Sequence, residues 1–178
     1  MKKIILTVFA ASSLLLYSTQ AFALINFSVG VPMSHTITGK NNDGSEIKAK
    51  GVSGTFIQVG VPMLPGIGMD SYKTKLKDST AELATMIYNL YYQLPIPIIS
   101  LTLGAGVGST ELQCAGCAGS WDKGTANQWY ASLGMPIIPL FDIHLSYRSV
   151  STKIKALSGG EELDLGGNVT GVGIGFNF

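Results

Sequence analysis

Apolar and polar residues alternate along most of this chain. The alternation is clearest in the stretch IISLTLGAGVGST, where Ile99, Leu101, Leu103, Ala105 and Val107 share one face and small or hydroxylated residues take the other. A period of two is that of a β-strand with one apolar face. The same pattern predicts eight strands, at about residues 24–37, 52–61, 66–76, 82–93, 98–110, 126–135, 140–154 and 169–178.

Two of these strands contain details that bear on the interior of the fold. In the first strand, the alternation places Ser34 on the polar face with Asn26, Ser28 and Gly30. In the second strand, Phe56 interrupts the alternation. The polar faces of all eight strands are predicted to point inward.

The fourth strand has a helical alternative, because the stretch STAELATMIYNLYYQL also tolerates a period of 3.6 residues. The run that contains Ile87, Tyr88, Tyr91 and Tyr92 favours a strand, since β-branched and aromatic residues are enriched in sheets. We therefore predict a strand here and keep the helix as the alternative.

The connections between the strands also alternate. Three are short and contain proline, VPMLPG, QLPIPI and GMPIIPL, and proline cannot donate a hydrogen bond to a ladder. The other four are predicted to be longer and polar: TGKNNDGSEIKAKG, KTKLKDST, residues 111–125 and STKIKALSGGEELD. Short turns at one end and long loops at the other indicate an up-and-down arrangement of antiparallel strands.

The N-terminal stretch MKKIILTVFAASSLLLYSTQAFA has the three parts of a secretory signal peptide. Two lysines precede a short apolar region, and small residues stand at Ala21 and Ala23, where a signal peptidase reads them. The alternative, a membrane anchor, needs about 20 apolar residues, which is more than this run offers. We predict that residues 1–23 are cleaved and that residues 24–178 form one domain.

The composition is unusual for a soluble domain. Hydrophobic residues make up 46% of the chain and charged residues 13%, with a mean hydropathy of +0.32, whereas about 25% charged residues is typical of soluble domains. No apolar run after Ala23 has the length of a membrane-spanning helix. An exported chain of this kind favours a transmembrane β-barrel, in which lipid-facing and inward residues alternate. A soluble β-sandwich would need more charge on its exterior, and the near-neutral charge gives no footprint for nucleic acid.

The signal peptide, the eight alternating segments and the final stretch VTGVGIGFNF resemble the small outer-membrane β-barrels of Gram-negative bacteria, the OmpX-type and OmpW-type group. The resemblance covers residues 24–178 as a pattern and not as residue identity. It implies an all-β fold, an eight-stranded antiparallel up-and-down transmembrane β-barrel, located in the outer membrane as a monomer among lipids and lipopolysaccharide. In that group the barrel-assembly machinery recognises a last strand that ends in phenylalanine. The residues that fit this signal are Val172, Ile174, Phe176 and Phe178.

The seventh strand carries the richest run of polar residues: Asp142, His144, Ser146 and Arg148. Asp, His and Ser together suggest a hydrolase, and His-x-Ser is similar to lipid A deacylases. The motif departs from theirs immediately, because YRSV follows the serine, and the alternation turns these side chains away from lipid. An eight-stranded barrel is just wide enough to be filled by side chains. We therefore predict an inward polar network of Asp70, Asn89, Gln93, Gln128, Asp142, His144 and Arg148.

Cys114 and Cys117 lie in the third long loop. In an exported chain they are predicted to form a loop disulfide, with reactive thiols and a metal site as the alternatives. Zinc would need further ligands, and neither His35 nor His144 is placed to supply one. We expect no metal and no cofactor.

Five lysines continue the apolar faces of two strands past their last apolar residues. They are positioned either to meet lipopolysaccharide phosphates or to form a solvated rim, and both interpretations stay open. These lysines are Lys73, Lys75, Lys77, Lys153 and Lys155.

The function that the sequence favours is that of a non-enzymatic envelope protein, which contributes to outer-membrane integrity or to surface interaction through its loops. One alternative is a small pore for small or hydrophobic molecules, as in OmpW-like barrels, with a lumen left open by the inward glycines. The other is an enzyme that modifies lipid A or phospholipid.

Overall fold

The computed structural model of the chain describes residues 25–40, 44–77, 79–94, 96, 99–114, 121–138, 140–157 and 162–178. The predicted signal peptide, residues 1–23, lies outside these residues. The strands are β1 Asn26–Ile37, β2 Ala49–Gly60, β3 Gly66–Leu76, β4 Glu82–Leu94, β5 Ser100–Gln113, β6 Gly124–Ile138, β7 Phe141–Lys155, β8 Glu162–Asp164 and β9 Gly167–Asn177. Within the described ranges, no helix is long and apolar enough to cross a membrane.

Eight of these strands form a closed antiparallel barrel. Each strand from β1 to β7 pairs with the next one along the chain, and β9 pairs with both β7 and β1. Closure gives every strand of the ring two neighbours, and the ladders satisfy backbone amides and carbonyls internally. The ladder between β1 and β2 covers only residues 26–30 against 56–60, on the turn side of the barrel. The predicted eight-stranded all-β barrel is confirmed, and the helical alternative for residues 79–94 is wrong. The short β8 pairs with the loop-side end of β7 in the same register as β9, so it continues the β9 ladder beyond Leu165 and Gly166.

The connections divide into two ends. Residues 61–65, 95–99 and 139–140 link the strands at one end, which we call the turn end, and the other four connections lie at the loop end. One predicted long loop is wrong: the link between β3 and β4 is only residues 77–81, no longer than the turn at 61–65. The stretch KTKLK was counted as loop, but Lys73 and Lys75 pair with Ala84 and Glu82 and extend the ladder.

The outward residues change from apolar to polar partway along every strand of the ring. In β7, for example, the exposed residues are Ile143, Leu145 and Tyr147, followed by Ser151 and Lys153. We call this change the polarity switch, and the apolar outer surface on its turn side the apolar belt. The last apolar and first polar outward residues are Met33 and Ser34 in β1, Ile57 and Thr55 in β2, Met69 and Ser71 in β3, Ala84 and Glu82 in β4, Val107 and Ser109 in β5, Trp129 and Asn127 in β6, Tyr147 and Ser149 in β7, and Val172 and Thr170 in β9.

The interior changes in the opposite sense. On the turn side, the inward residues other than Pro32 are polar or are glycines, whereas on the loop side most are apolar and pack into two clusters. The loop half therefore has a hydrophobic core and a polar exterior, like a soluble β-barrel. The first cluster contains Phe56, Tyr72, Ile87, Ala126, Val150 and Val169, and the second contains Ile37, Ile47, Leu83, Ile154 and Leu165.

A β-bulge explains why the predicted inward position of Ser34 is wrong. The register of β1 against β9 shifts between Pro32 and Ser34, and the extra residue reverses the phase of the strand beyond it. Ser34 is exposed, and its hydroxyl lies 2.7 Å from that of Thr170 on the outer wall. His35 points inward instead, with its Nδ1 2.8 Å from the hydroxyl of Thr74.

Phe56 breaks the predicted alternation of the second strand in its polarity but not in its direction. Phe56 is buried and points inward with Gln58, so the alternation of directions continues through it. What the residue breaks is only the rule that the inward face is polar. Its ring contacts the guanidinium group of Arg148 at the centre of the lumen.

Candidate functional site: the filled lumen and the outer face

An ion pair crosses the centre of the barrel. Arg148 on β7 is 2% exposed, and its Nε donates to Oδ2 of Asp70 on β3 at 2.9 Å. The guanidinium carbon lies 3.5 Å from the ring centre of Phe56 and 4.9 Å from that of Tyr130. Because both charges are removed from water, they need these partners to offset the loss of hydration. We call this group of residues the central cluster.

Amide side chains extend the central cluster to other strands. The Nε2 of Gln128 donates to Asp70 Oδ2 at 2.6 Å and to Asn89 Oδ1 at 2.9 Å. The Nε2 of Gln58 donates to the Tyr130 hydroxyl at 2.8 Å. These hydrogen bonds connect residues of β2, β3, β4, β6 and β7, so they form a layer of side chains across the lumen.

The inward glycines do not leave the lumen open, as the pore hypothesis required. A methyl group at Gly104 would overlap the ring of Tyr130, and one at Gly106 would overlap the side-chain oxygen of Asn89. The glycines of β5 are therefore the positions that make room for large side chains from β4 and β6. They let the barrel be filled.

The structure divides the predicted polar network into two groups. Asp70, Asn89, Gln128 and Arg148 belong to the central cluster, which also includes Ser146, whose hydroxyl accepts a hydrogen bond from Nη1 of Arg148. The other predicted members, Gln93, Asp142 and His144, lie nearer the turn end, as part of a second group. The sequence does not predict that Phe56 and Tyr130 stack on a cation or that Gln58 joins them, because alternation gives the direction of a side chain but not its partner.

The second group lines a small polar cavity at the turn end. Nδ1 of His144 lies 3.2 Å from Oδ1 of Asp142. Gln93 accepts a hydrogen bond from Asn26 at 2.7 Å and donates one to Ser100 at 3.0 Å. The cavity has a volume of about 30 Å³, which is room for about two water molecules.

The arrangement of Ser146 does not match that of a hydrolytic nucleophile. Its hydroxyl donates to the carbonyl of Gly171 at 3.2 Å and accepts from Arg148. The imidazole of His144 is engaged with Asp142, and in the described part of the chain no hydrogen bond joins His144 to Ser146. Both side chains point into the lumen, away from the surface where a lipid substrate would lie.

The five predicted lysines are all exposed on the outer wall of the loop half. Lys73 donates to Gln113 at 3.1 Å, Lys75 lies 3.8 Å from Glu82, and Lys153 lies 3.9 Å from Glu162. The structure places them as two groups, because β3 and β7 lie on opposite sides of the eight-stranded ring. We call these the β3 lysines (Lys73, Lys75, Lys77) and the β7 lysines (Lys153, Lys155).

The final strand closes the barrel at the turn end. Backbone hydrogen bonds of 2.9 and 3.1 Å connect Phe178 with Ile25. The ring of Phe176 lies 4.9 Å from that of Phe141 and 6.3 Å from that of Phe178. Val172 and Ile174 continue the same outward row toward the loop end. Recognition of these four residues by the assembly machinery stays a prediction.

Two predictions from the sequence concern cysteines and metal ions: a disulfide in the third long loop and the absence of a metal site. Cys117 lies outside the described residues, so the disulfide with Cys114 stays a prediction. Among the residues that the structure describes, no three His, Cys, Asp or Glu side chains are grouped so that they could hold a metal ion.

No protein-family model and no curated protein sequence matches this chain. Solved structures of small barrels do. Neisserial surface protein A is similar with a TM-score of 0.61 at 11% identity, over 86% of this chain and 96% of its own. The N-terminal β-barrel domain of Pseudomonas aeruginosa OprF follows with 0.53 at 12%, over 88% and 98%. The Yersinia pestis outer membrane protein Ail gives 0.50 at 16%, over 88% and 99%. The fold is that of small outer-membrane β-barrels, so the resemblance in the sequence is confirmed at the level of the fold.

The central cluster makes a quantitative prediction about stability. We expect Arg148→Met to destabilise the barrel by about 3–5 kcal/mol, because it leaves the carboxylate of Asp70 buried without a counterion. Adding Asp70→Asn to that variant is expected to restore much of the loss. The control is Lys153→Met, which breaks an exposed ion pair and is expected to change the stability by less than about 1 kcal/mol. Urea unfolding in one detergent, followed by tryptophan fluorescence, measures all three, and strictly additive losses would contradict the pairing.

Proposed function

We propose that this chain is a non-enzymatic outer-membrane β-barrel that acts through the outer surface of its loop half, in envelope integrity or surface interaction. The observation that carries the proposal is the filled lumen. A layer of hydrogen-bonded side chains crosses its centre, and an apolar core fills the loop half above that layer. With the interior occupied, the surface is the part of the molecule that is free to interact.

The apolar belt supports a location in a membrane. Large apolar side chains are exposed around the turn half, for example Leu90, Leu133 and Leu145, each at least half exposed. Monomeric soluble proteins rarely expose a continuous apolar surface of this extent. A closed barrel is one of the two architectures that satisfy every backbone group within hydrocarbon, and it leaves no strand edge that a second subunit would have to cover. The proposed unit is therefore a monomer.

The side chains that fill the lumen argue against a pore. A path through the lumen would have to pass Arg148, held between Phe56 and Tyr130, and then the buried Ile154 and Leu165 of the loop half. Opening that path requires the loss of a buried ion pair as well as of packing. Passage along the lumen is thus the weaker of the two functional hypotheses.

The two lysine groups support an interaction with anionic lipid. They lie on the polar side of the polarity switch, beginning two residues past Ser71 in β3 and four residues past Ser149 in β7. Lipid phosphates would lie on that side if hydrocarbon covers the apolar belt. Lysine is a compact and strongly hydrated point charge, which suits phosphate contacts that need no fixed geometry. We propose that the β3 lysines and the β7 lysines contact lipopolysaccharide phosphates on opposite sides of the barrel.

We predict that the protein without its signal peptide is electrically silent in planar lipid bilayers. The reason is that the central cluster and the apolar core leave no continuous aqueous path. Single-channel recording measures this, with a porin added afterwards to the same bilayer to show that channels are detectable. Reproducible conductance steps from the unmodified protein would contradict the proposal and would favour a pore.

We predict that Lys73→Gln, Lys75→Gln and Lys77→Gln together weaken binding to lipopolysaccharide. A lysine at an anionic membrane surface contributes about 1 kcal/mol, so the loss is expected to be roughly a hundredfold at low salt. The matched control replaces Lys40, Lys48 and Lys123 by Gln, which removes the same charge from loop positions. Titration of lipopolysaccharide against each purified variant gives the affinities, and equal losses in the two variants would reject a specific site.

A further inference from the structure

The turn end is apolar where turns in water are polar. Met63 and Leu64, in the turn between β2 and β3, are 69% and 58% exposed. Ile137 and Leu140, beside the turn between β6 and β7, are 63% and 50% exposed. Turns in water favour Gly, Pro, Asn, Asp and Ser, and of these the two turns contain mainly proline. These turns instead present large hydrophobic side chains at the tips of the barrel.

The turn between β2 and β3 has a backbone conformation that is unfavourable for its apolar residue Met63. The amide of Leu64 donates to the carbonyl of Val61 at 3.1 Å, so Pro62 and Met63 are the central residues of a β-turn. Proline fixes a negative φ at the first position, and Met63 has a φ of 66°, which makes this a type II turn. That second position normally takes Gly or Asn, because other side chains are strained there. A methionine at this position gives up backbone stability for an exposed apolar group.

The exposed charged side chains that the structure describes lie away from the turn end. The sequence has no Asp, Glu, Lys or Arg in residues 51–69, 83–110, 124–141 or 165–178. Asp142, close to the turn end, points into the lumen. Every exposed charged side chain that the structure describes lies in the loop half. A turn end that projected into water would have no exposed charged side chain, among those that the structure describes, to keep it hydrated.

The length of β2 leads to the same conclusion. Its outer face becomes apolar below Thr55, and its ladder ends at Gly60. Five steps of about 3.4 Å at a tilt of about 40° cover about 13 Å of membrane thickness. The apolar band of outer-membrane barrels is about 25 Å tall. The strand part of this hairpin is therefore shorter than the band, and residues 61–64 extend its apolar outer surface further toward the turn end.

We propose that the turn end is a lipid-binding surface, whose apolar turns insert among the phospholipid acyl chains of the membrane leaflet on that side. The proposal rests on the membrane location given above. Phospholipid is the occupant that fits, because Val59, Val61 and Met63 continue the apolar belt without a polar break. A second copy of the chain or a water-soluble protein would cover the tips but would not explain that continuity. All polar recognition by this protein then takes place at the loop end.

Depth-dependent fluorescence quenching tests the proposal. Single cysteines are placed at Leu64, Leu140, Leu133 and Leu157 in a background in which Cys114 and Cys117 are serine, and each carries an environment-sensitive dye. The four folded proteins are inserted into phosphatidylcholine vesicles at high lipid excess. Spin labels on the acyl chains quench the dye, either near the headgroup or near the chain end.

We expect the dyes at positions 64 and 140 to emit at shorter wavelength than in water, and to lose most of their emission to the spin label near the headgroup. The dye at 133, in the middle of the belt, reports insertion itself, and the dye at 157, at the loop end, is expected to stay unquenched. Quenching at 133 without quenching at 64 and 140 would overturn the proposal and leave the membrane location intact. No quenching at 133 would overturn both. Quenching at 64 that vanishes as the protein is diluted in lipid would indicate a second copy and would also overturn the proposal.

Met63→Asn provides a second test without labels. In water, asparagine would relieve the strain at a φ of 66° and raise the midpoint of urea unfolding. Within lipid, the polar amide would lower the midpoint in phospholipid vesicles, and this is the result we expect. An unchanged or raised midpoint would contradict the proposal.

Discussion

The whole structure depends on which solvent covers each half of one continuous sheet. Hydrocarbon on the turn half requires an apolar outer wall and a backbone that is hydrogen-bonded within the sheet. Water on the loop half requires the reverse, so the apolar side chains of the same strands turn inward there. Side chains along a strand alternate between its two faces. Where the solvent on the outer face changes, the apolar residues move from the outward to the inward positions of the sequence, while the strand itself continues. The polarity switch is that change.

The filling of the lumen follows from the same constraint. Inward side chains of the turn half face neither hydrocarbon nor bulk water, so they must satisfy one another, and Arg148, Asp70 and Gln128 do so through a short chain of hydrogen bonds. The inward glycines of β5 let those large side chains fit in an eight-stranded ring. The filled lumen supports the proposal that the protein acts through its surface, and the exposed charged side chains that the structure describes are all at one end of that surface.

The sequence was sufficient for the strands, because alternation over ten residues is a strong signal and the proline turns limit where strands can end. The sequence was not sufficient where tertiary structure changes the direction of a side chain or brings distant residues together. Ser34 was assigned inward because a bulge beside Pro32 is not visible in the alternation. Phe56 was recognised as a break in the pattern but not explained, because its partner, Arg148, is distant in the sequence. The polar network was predicted as one group because the alternation gives the direction of a side chain but not its height in the barrel. Cross-strand register gives that height, and it separates His144 from the central cluster.

One pair of substitutions on β6 tests the central claim most directly. Leu133 lies in the apolar belt and Asn127 lies beyond the polarity switch, and both point outward and are exposed. In phospholipid vesicles, Leu133→Lys is predicted to lower the free energy of unfolding by about 2–4 kcal/mol, because the ammonium enters hydrocarbon. Asn127→Lys, which stays in water, is predicted to change it by less than about 0.5 kcal/mol. Urea unfolding of both variants measures the difference, and two equally small effects would contradict the claim that hydrocarbon covers one half of the barrel and water the other.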